Sequence, residues 1–101
     1  MPAQVIWALS SLADLTAIVS LIAADNPAAA QRVAAQIRER TRQLESFPLS
    51  GPHYDFTPAG EVRELIIPPY RIFYRVTDDG KTVRILRIWH SARGTPDIPR
   101  V

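Results

Sequence analysis

The segment from Val62 to Arg93 constrains this chain most. It reads VRELIIPPYRIFYRVTDDGKTVRILRIWHSAR, three runs of β-branched and aromatic residues separated by two strong breaks. Pro68-Pro69 ends the first run, because proline has no N–H for a strand ladder and restricts the residue before it. Asp78-Asp79-Gly80-Lys81 ends the second, with a glycine able to take the positive φ of a tight turn. Val62 to Ile67, Tyr70 to Val76 and Thr82 to Trp89 are therefore expected to form an antiparallel meander.

A strand period of two assigns faces. On the middle strand Arg71, Phe73 and Arg75 share one face, and Tyr70, Ile72, Tyr74 and Val76 share the other. On the last strand Val83, Ile85, Arg87 and Trp89 alternate with Arg84, Leu86, Ile88 and His90. Sequence leaves the cross-strand register open. The register placing Arg87 beside Arg71 is preferred, since it gathers the arginines on one open face and leaves a mostly apolar face to be covered.

The N-terminal half supplies the cover. Ala3 to Trp7 reads as a short strand added to the sheet. Ser10 or Ser11 then caps a helix, with Asp14 in its first turn, where the dipole favours an acid. Leu12, Leu15, Ile18 or Val19, and Ile22 form its apolar stripe. Asn26-Pro27 restarts the chain as N-cap and first helical residue of a second helix running to about Ser46. Its stripe is Ala30, Val33 or Ala34, Ile37 and Leu44, and Arg38, Glu39, Arg40 and Arg42 read as a solvated face. A tight junction makes the pair an antiparallel hairpin. Residues 47–61, rich in Pro and Gly, are expected to be loop, and residues 94–101 an extended tail. The fold class expected is α+β, one domain over residues 1–101, with the hairpin packed on the sheet.

Charge is uneven. Residues 1–61 carry four arginines against six acids; residues 62–101 carry seven arginines and Lys81 against four acids, for a net +2 overall. A basic sheet suits an acidic partner. With no cysteine, disulfides, thiolate zinc sites and thiol catalysis are excluded. The longest apolar stretch, Leu12 to Ala24, contains Asp14 and is shorter than the roughly 20 residues of a membrane span. Without a basic-then-apolar leader the expected location is cytoplasmic, with no membrane partner. There is no phosphate-cradling glycine loop, no Ser-His-Asp signature and no metal-ligand spacing, so neither cofactor nor metal is expected. His53 reads as a surface histidine in a loop. His90, near Arg93, has the titration range for acid–base work on a phosphate or a 2′-hydroxyl, while a strand-end histidine bonded to backbone is the plainer reading.

Several pieces together resemble the RelE/ParE toxin superfamily of bacterial type II toxin–antitoxin modules. They are Asp14-Leu15, Asn26-Pro27 with its alanines, Leu44 with Pro48 and Gly51, Arg63-Glu64-Leu65, Tyr70-Arg71-Ile72-Phe73-Tyr74-Arg75-Val76, and Ile85-Leu86-Arg87-Ile88 with His90 and Arg93. The resemblance covers nearly the whole chain and rests on order and spacing. It implies a RelE-like fold and one of two activities: cleavage of ribosome-bound mRNA, or inhibition of DNA gyrase in a plasmid-stabilising module. Arg71 matches the arginine of the RelE Tyr-Arg-x-x-Tyr motif. The two RelE lysines fall on Val62 and Glu64, a second arginine on Ser91 and the C-terminal tyrosine on Asp97. Those losses, with the Pro48-x-x-Gly51 loop, are similar to the ParE branch. Some relatives use a Glu and a His instead, which Glu64, Arg71 and His90 would imitate. The resemblance thus implies a gyrase inhibitor neutralised in a hetero-oligomer by a ParD-like, ribbon-helix-helix antitoxin. Its toxicity surface is expected on Arg71, Arg75, Arg87, Trp89, His90 and Arg93, with no catalytic residue.

Overall fold

A computed structural model describes residues 2–57 and 60–98. Residues 99–101 of the expected tail lie outside the described residues, as do residues 58 and 59 of the expected loop. The elements run β1 (Gln4–Trp7), α1 (Leu9–Asp25), α2 (Pro27–Arg42), β2 (His53–Thr57), β3 (Gly60–Ile67), β4 (Tyr70–Thr77) and β5 (Thr82–His90). The sheet has the order β1-β5-β4-β3-β2. The meander β3-β4-β5 is antiparallel, as its sequence breaks require. β1 lies parallel to β5, to which it is connected only through the helix hairpin and the other strands, so the sheet is mixed.

Two expectations about the hairpin change. Ala8, not a serine, is the N-cap of α1, and no side chain caps it. Both serines bond to carbonyls instead: Ser10 Oγ donates to Leu86 O at 2.7 Å, and Ser11 Oγ to Ala8 O. Asp14 consequently sits beyond the first turn and works through direct bonds described below. At the junction, Asn26 Oδ1 accepts from Ala29 N–H at 3.0 Å, with Pro27 as the first helical residue. α2 ends at Arg42 and continues as a 3-10 turn, Gln43–Glu45.

The main core lies between hairpin and sheet. Ile37, Leu44, Ile72, Tyr74, Val83 and Ile85 are fully buried there, and Leu15, Ile18 and Val33 pack beside them. Burial of such aliphatic side chains contributes about 1.5–3 kcal/mol each. Leu12 does not belong to this stripe; it is 44% exposed, and Leu9 and Leu21 are more so. The buried edge of α1 passes through Leu15, Ile18 and Ile22 instead, leaving an outer surface of the same helix apolar.

The segment taken as loop contains the edge strand β2, which pairs with β3 across a bulge between His53 and Asp55. Gly51 precedes it. A Cβ there would stand 2.6 Å from both Glu64 O and the Tyr74 hydroxyl, so only glycine lets the loop close on the sheet. The Tyr74 hydroxyl accepts from Gly51 N–H at 2.9 Å, while Arg63 donates to Gly51 O at 2.7 Å and to Leu49 O.

Candidate partner-binding face

The open face is built by the β4-β5 register. Arg71 stands opposite Trp89, Phe73 opposite Arg87 and Arg75 opposite Arg84. A bulge between Phe73 and Tyr74 makes two residues of β5, Leu86 and Arg87, answer one of β4. Strict alternation therefore fails on β5. Arg84, Leu86, Arg87 and Trp89 lie toward the open side, and Val83, Ile85 and Ile88 belong to the helix-side core. Arg87 joins Arg71 as expected, but Val83 and Ile85 do not share its face.

A second apolar cluster forms on this side, from buried Val62, Phe73, Leu86 and Trp89 with Tyr54 and Ile98 against it. No helix covers it. Guanidinium planes do part of that work: Arg71 Cζ lies 4.9 Å from the Phe73 ring centre and 5.8 Å from that of Tyr54. Trp89 has Arg87 Cζ at 4.9 Å and Arg93 Cζ at 4.0 Å from its ring centre. Such stacking contributes about 0.5–2 kcal/mol per pair, more where water is excluded. The tail supplies the rest. Arg87 Nη1 donates to Asp97 O at 3.0 Å, so residues 94–98 turn back and bring Ile98 onto the cluster.

Two of the arginines are held by acids. Arg71 Nη2 donates to Glu64 Oε2 at 2.7 Å, with Nε on the same oxygen. Arg87 Nε and Nη2 donate to the Asp14 carboxylate at 2.8 and 3.0 Å. That carboxylate also accepts from Ile88 N–H at 3.0 Å. Hydrogen bonding to Asp14, partly opposed by burial, raises the Arg87 pKa above its ordinary value. β1 pairs with β5 only as far as Ile85, so α1 finishes that edge: Ala8 N–H donates to Ile85 O, Ser10 to Leu86 O, and Asp14 accepts from Ile88. Nothing local in sequence links residue 14 to residue 87; this contact was not foreseeable from periodicity.

The six residues expected as a surface are therefore not equivalent. Arg71, Arg87, Trp89 and Arg93 come together on the open side. Arg75 is only 2% exposed, and burial, then repulsion from Arg84, lowers its pKa. His90 stands opposite Tyr70 and turns to the helix side, edge-on to the Tyr70 ring at 5.6 Å between centres. Its Nδ1 accepts from Ala92 N–H at 3.1 Å, so the backbone-bonded reading holds. There it lines a groove of about 250 Å³ with Asp14, Ala17, Ile18, Leu21 and Arg93. Glu64 and Arg71 are on the other side of the sheet from it. His53 lies on β2 with Nδ1 3.3 Å from a Glu61 oxygen, rather than in a loop. Sequence reasoning missed Asp14, Tyr54 and Ile98 as parts of this face. Among the described residues no cluster of His, Cys, Asp or Glu could hold a metal ion, and no helix is long and apolar enough to cross a membrane.

Comparison with known proteins places this geometry. Residues 5–94 match the sequence family described as ParE toxin of type II toxin-antitoxin system, parDE. The chain is 42% identical over 92 residues to Toxin RelE2 of Caulobacter vibrioides, covering 90% of this chain and 98% of that one. It is 34% identical over 97 residues to Putative toxin Y4kP of Sinorhizobium fredii, covering 91% and 92%. Among solved structures, the chromosomal ParDE system from P. aeruginosa superposes with a TM-score of 0.71 at 26% identity, over 87% of this chain and 95% of that one. The toxin–antitoxin complex RelBE2 from Mycobacterium tuberculosis gives 0.66 at 27%, over 89% and 99%. Both the fold and the sequence lead to one family: this chain is a ParE-family toxin of the RelE/ParE superfamily, from a type II toxin–antitoxin system.

Proposed function

We propose that this toxin acts in the cytoplasm by inhibiting DNA gyrase and is neutralised by a cognate ParD-like, ribbon-helix-helix antitoxin in a hetero-oligomer. The observation supporting the gyrase reading is the separation of Glu64 and Arg71 from His90. Cutting RNA beside a 2′-hydroxyl needs a base, an acid and cations converging on one phosphate. Here the Glu64 carboxylate is occupied by Arg71 on the open side, while His90 accepts from Ala92 on the helix side. Val62, at a position where RelE has a lysine, is fully buried. What the open side offers is Trp89 with two guanidinium groups against its ring, and Trp and Arg are the usual centres of binding energy at interfaces. The face then works by spread contact, with Arg71, Arg87, Trp89 and Arg93 at its middle and Arg75 supporting it from beneath.

The relatives named RelE2 and RelBE2 supply the second reading, ribosome-dependent mRNA cleavage. One experiment separates the two: gyrase supercoiling and DNA-cleavage assays beside translation-coupled mRNA cleavage, with the same purified toxin. Gyrase inhibition should be seen, should survive His90→Gln and should fall about tenfold or more in Trp89→Ala protein shown to be folded. Toxin that spares gyrase yet cuts ribosome-bound mRNA, with cutting abolished by His90→Gln, overturns the proposal.

A further inference from the structure

Trp89 is buried yet has an unmet donor. Its side chain is 9% exposed, and Nε1 has no hydrogen-bond partner among the described residues. An indole nitrogen only donates, and the guanidinium groups of Arg87 and Arg93 against its ring also only donate. Neither can satisfy it. A buried donor without an acceptor is costly, and native structures keep few of them.

The other cover on this side is the tail. It leaves the sheet through a 3-10 turn, Ser91–Arg93, and reverses at Gly94, where φ is +79° and ψ −140°. A Cβ there would meet no atom within 4 Å, so the backbone conformation alone calls for glycine. Beyond the reversal, inward and outward residues alternate: Thr95 and Asp97 are exposed, Pro96 is buried and Ile98 half-buried. The tie to the sheet is slight. Arg87 Nη1 donates to Asp97 O at 3.0 Å, and Ile98 packs on the second apolar cluster. No main-chain group of residues 94–98 is bonded to another main-chain group among the described residues. Segments held by so few contacts open at small cost.

We propose that residues 95–98 are a displaceable strap on the open face, exchanged for an extended segment of the target when the toxin binds. This rests on the gyrase reading above. The strap shows what the face accepts: a carbonyl oxygen for Arg87 and an aliphatic side chain for the cluster around Phe73 and Trp89. It leaves two groups unserved. It brings no acceptor to Trp89 Nε1 and no carboxylate to Arg93, which has no ion pair among the described residues. A target segment with an aliphatic residue beside an acidic one serves all four. While the strap is closed the face is occupied, so the apparent affinity falls with the fraction of toxin that is open.

Full-length toxin and purified gyrase test the strap. Ile98→Ser removes the apolar plug, and Gly94→Ala strains the reversal. In each, the Trp89 indole N–H, identified in NMR spectra by its absence from Trp89→Phe, should exchange with water about tenfold faster. Each should also inhibit supercoiling at about one third of the wild-type concentration or less. Trp89→Phe keeps a ring and removes the donor. It should unfold at the wild-type temperature or above, yet inhibit about fivefold less well. Faster indole exchange with inhibition unchanged or weaker overturns the proposal and leaves the gyrase reading intact. Indole exchange unchanged in both tail variants shows that the tail does not cover Trp89, and overturns it too. So does a Trp89→Phe toxin that inhibits as well as wild type. If wild-type toxin does not inhibit gyrase, both readings fail.

Discussion

Replacing Asp14 by alanine should destabilise this protein more than any other change of one surface-reaching acid. The Asp14 carboxylate accepts three bonds, two from Arg87 and one from Ile88 N–H. Both side chains of the pair are mostly out of water, with 13% of Asp14 and 20% of Arg87 exposed. Removing the acid strands a guanidinium in a place prepared for an ion pair and leaves one edge amide without an acceptor. Breaking a buried pair by removing one partner costs roughly 3–5 kcal/mol, and an unsatisfied amide about 1–3. These do not add fully here, because Arg87 retains Asp97 O and can reach solvent. The expected loss is about 2–4 kcal/mol. For a domain of this size it lowers the melting temperature by roughly 10–25 °C.

Asp14→Asn separates the two contributions. It keeps an acceptor for Ile88 N–H and removes the charge, so about 1–2 kcal/mol should be lost. Urea unfolding of both variants, with a double-mutant cycle against Arg87→Met, measures the coupling directly. A cycle energy near 1–3 kcal/mol agrees with the geometry. If Asp14→Ala costs less than about 1 kcal/mol, the carboxylate is not what closes the β5 edge, and the reasoning is wrong.

Ile37→Ala removes a side chain with no exposed surface from the centre of the hairpin–sheet core, and should cost roughly 2–5 kcal/mol in denaturant melts. Tyr74 is buried, and that burial raises its pKa above 10.0. The unfolded chain then loses this proton first, so the stabilising effect is complete below about pH 10 and is lost as pH rises through the folded value. Tyr74→Phe should flatten the alkaline fall in stability above pH 10, and should cost about 1–3 kcal/mol at neutral pH by leaving Gly51 N–H without its acceptor; unchanged alkaline melts would refute the assignment.

The parts legible in sequence were those written in local chemistry. Pro68-Pro69 and the Asp78-Asp79-Gly80 turn cut the meander where the strands in fact end, with positive φ at Asp78, Asp79 and Gly80. Asn26-Pro27 gave the helix junction for the same reason. β2 was hidden because its pairing comes entirely from β3, while its five residues sit inside a stretch whose prolines and glycines read as loop. The bulge at Leu86 was hidden because a run such as Arg-Ile-Leu-Arg-Ile permits either alternation; only packing against Phe73 and α1 chooses. Among the site residues, period two put Arg87 and Trp89 on one face, and joining them to Arg71 took a preferred register that the β4-β5 pairing supplies. His90 lies on the face opposite Trp89 by the same alternation, whereas the burial of Arg75 did not follow from it, because it depends on neighbours from other strands.

That same architecture ties binding to stability on the open side. The second apolar cluster has no helix over it, so Arg71 over Phe73 and Arg87 and Arg93 beside Trp89 act as its cover as well as its charge. A lysine in any of these places keeps the charge but not the flat, weakly hydrated plane. Arg71 and Arg87 are further tied to Glu64 and Asp14, so a partner that takes either guanidinium must compete with an existing carboxylate. Arg93 has no such acid among the described residues, and it is exposed and already stacked on Trp89. An incoming acidic group meets it at little cost in ordering. On the proposed reading of this face, the first charged contact is Arg93, with Trp89 beneath it as the apolar anchor. The paired arginines then give the face its shape more than its attraction.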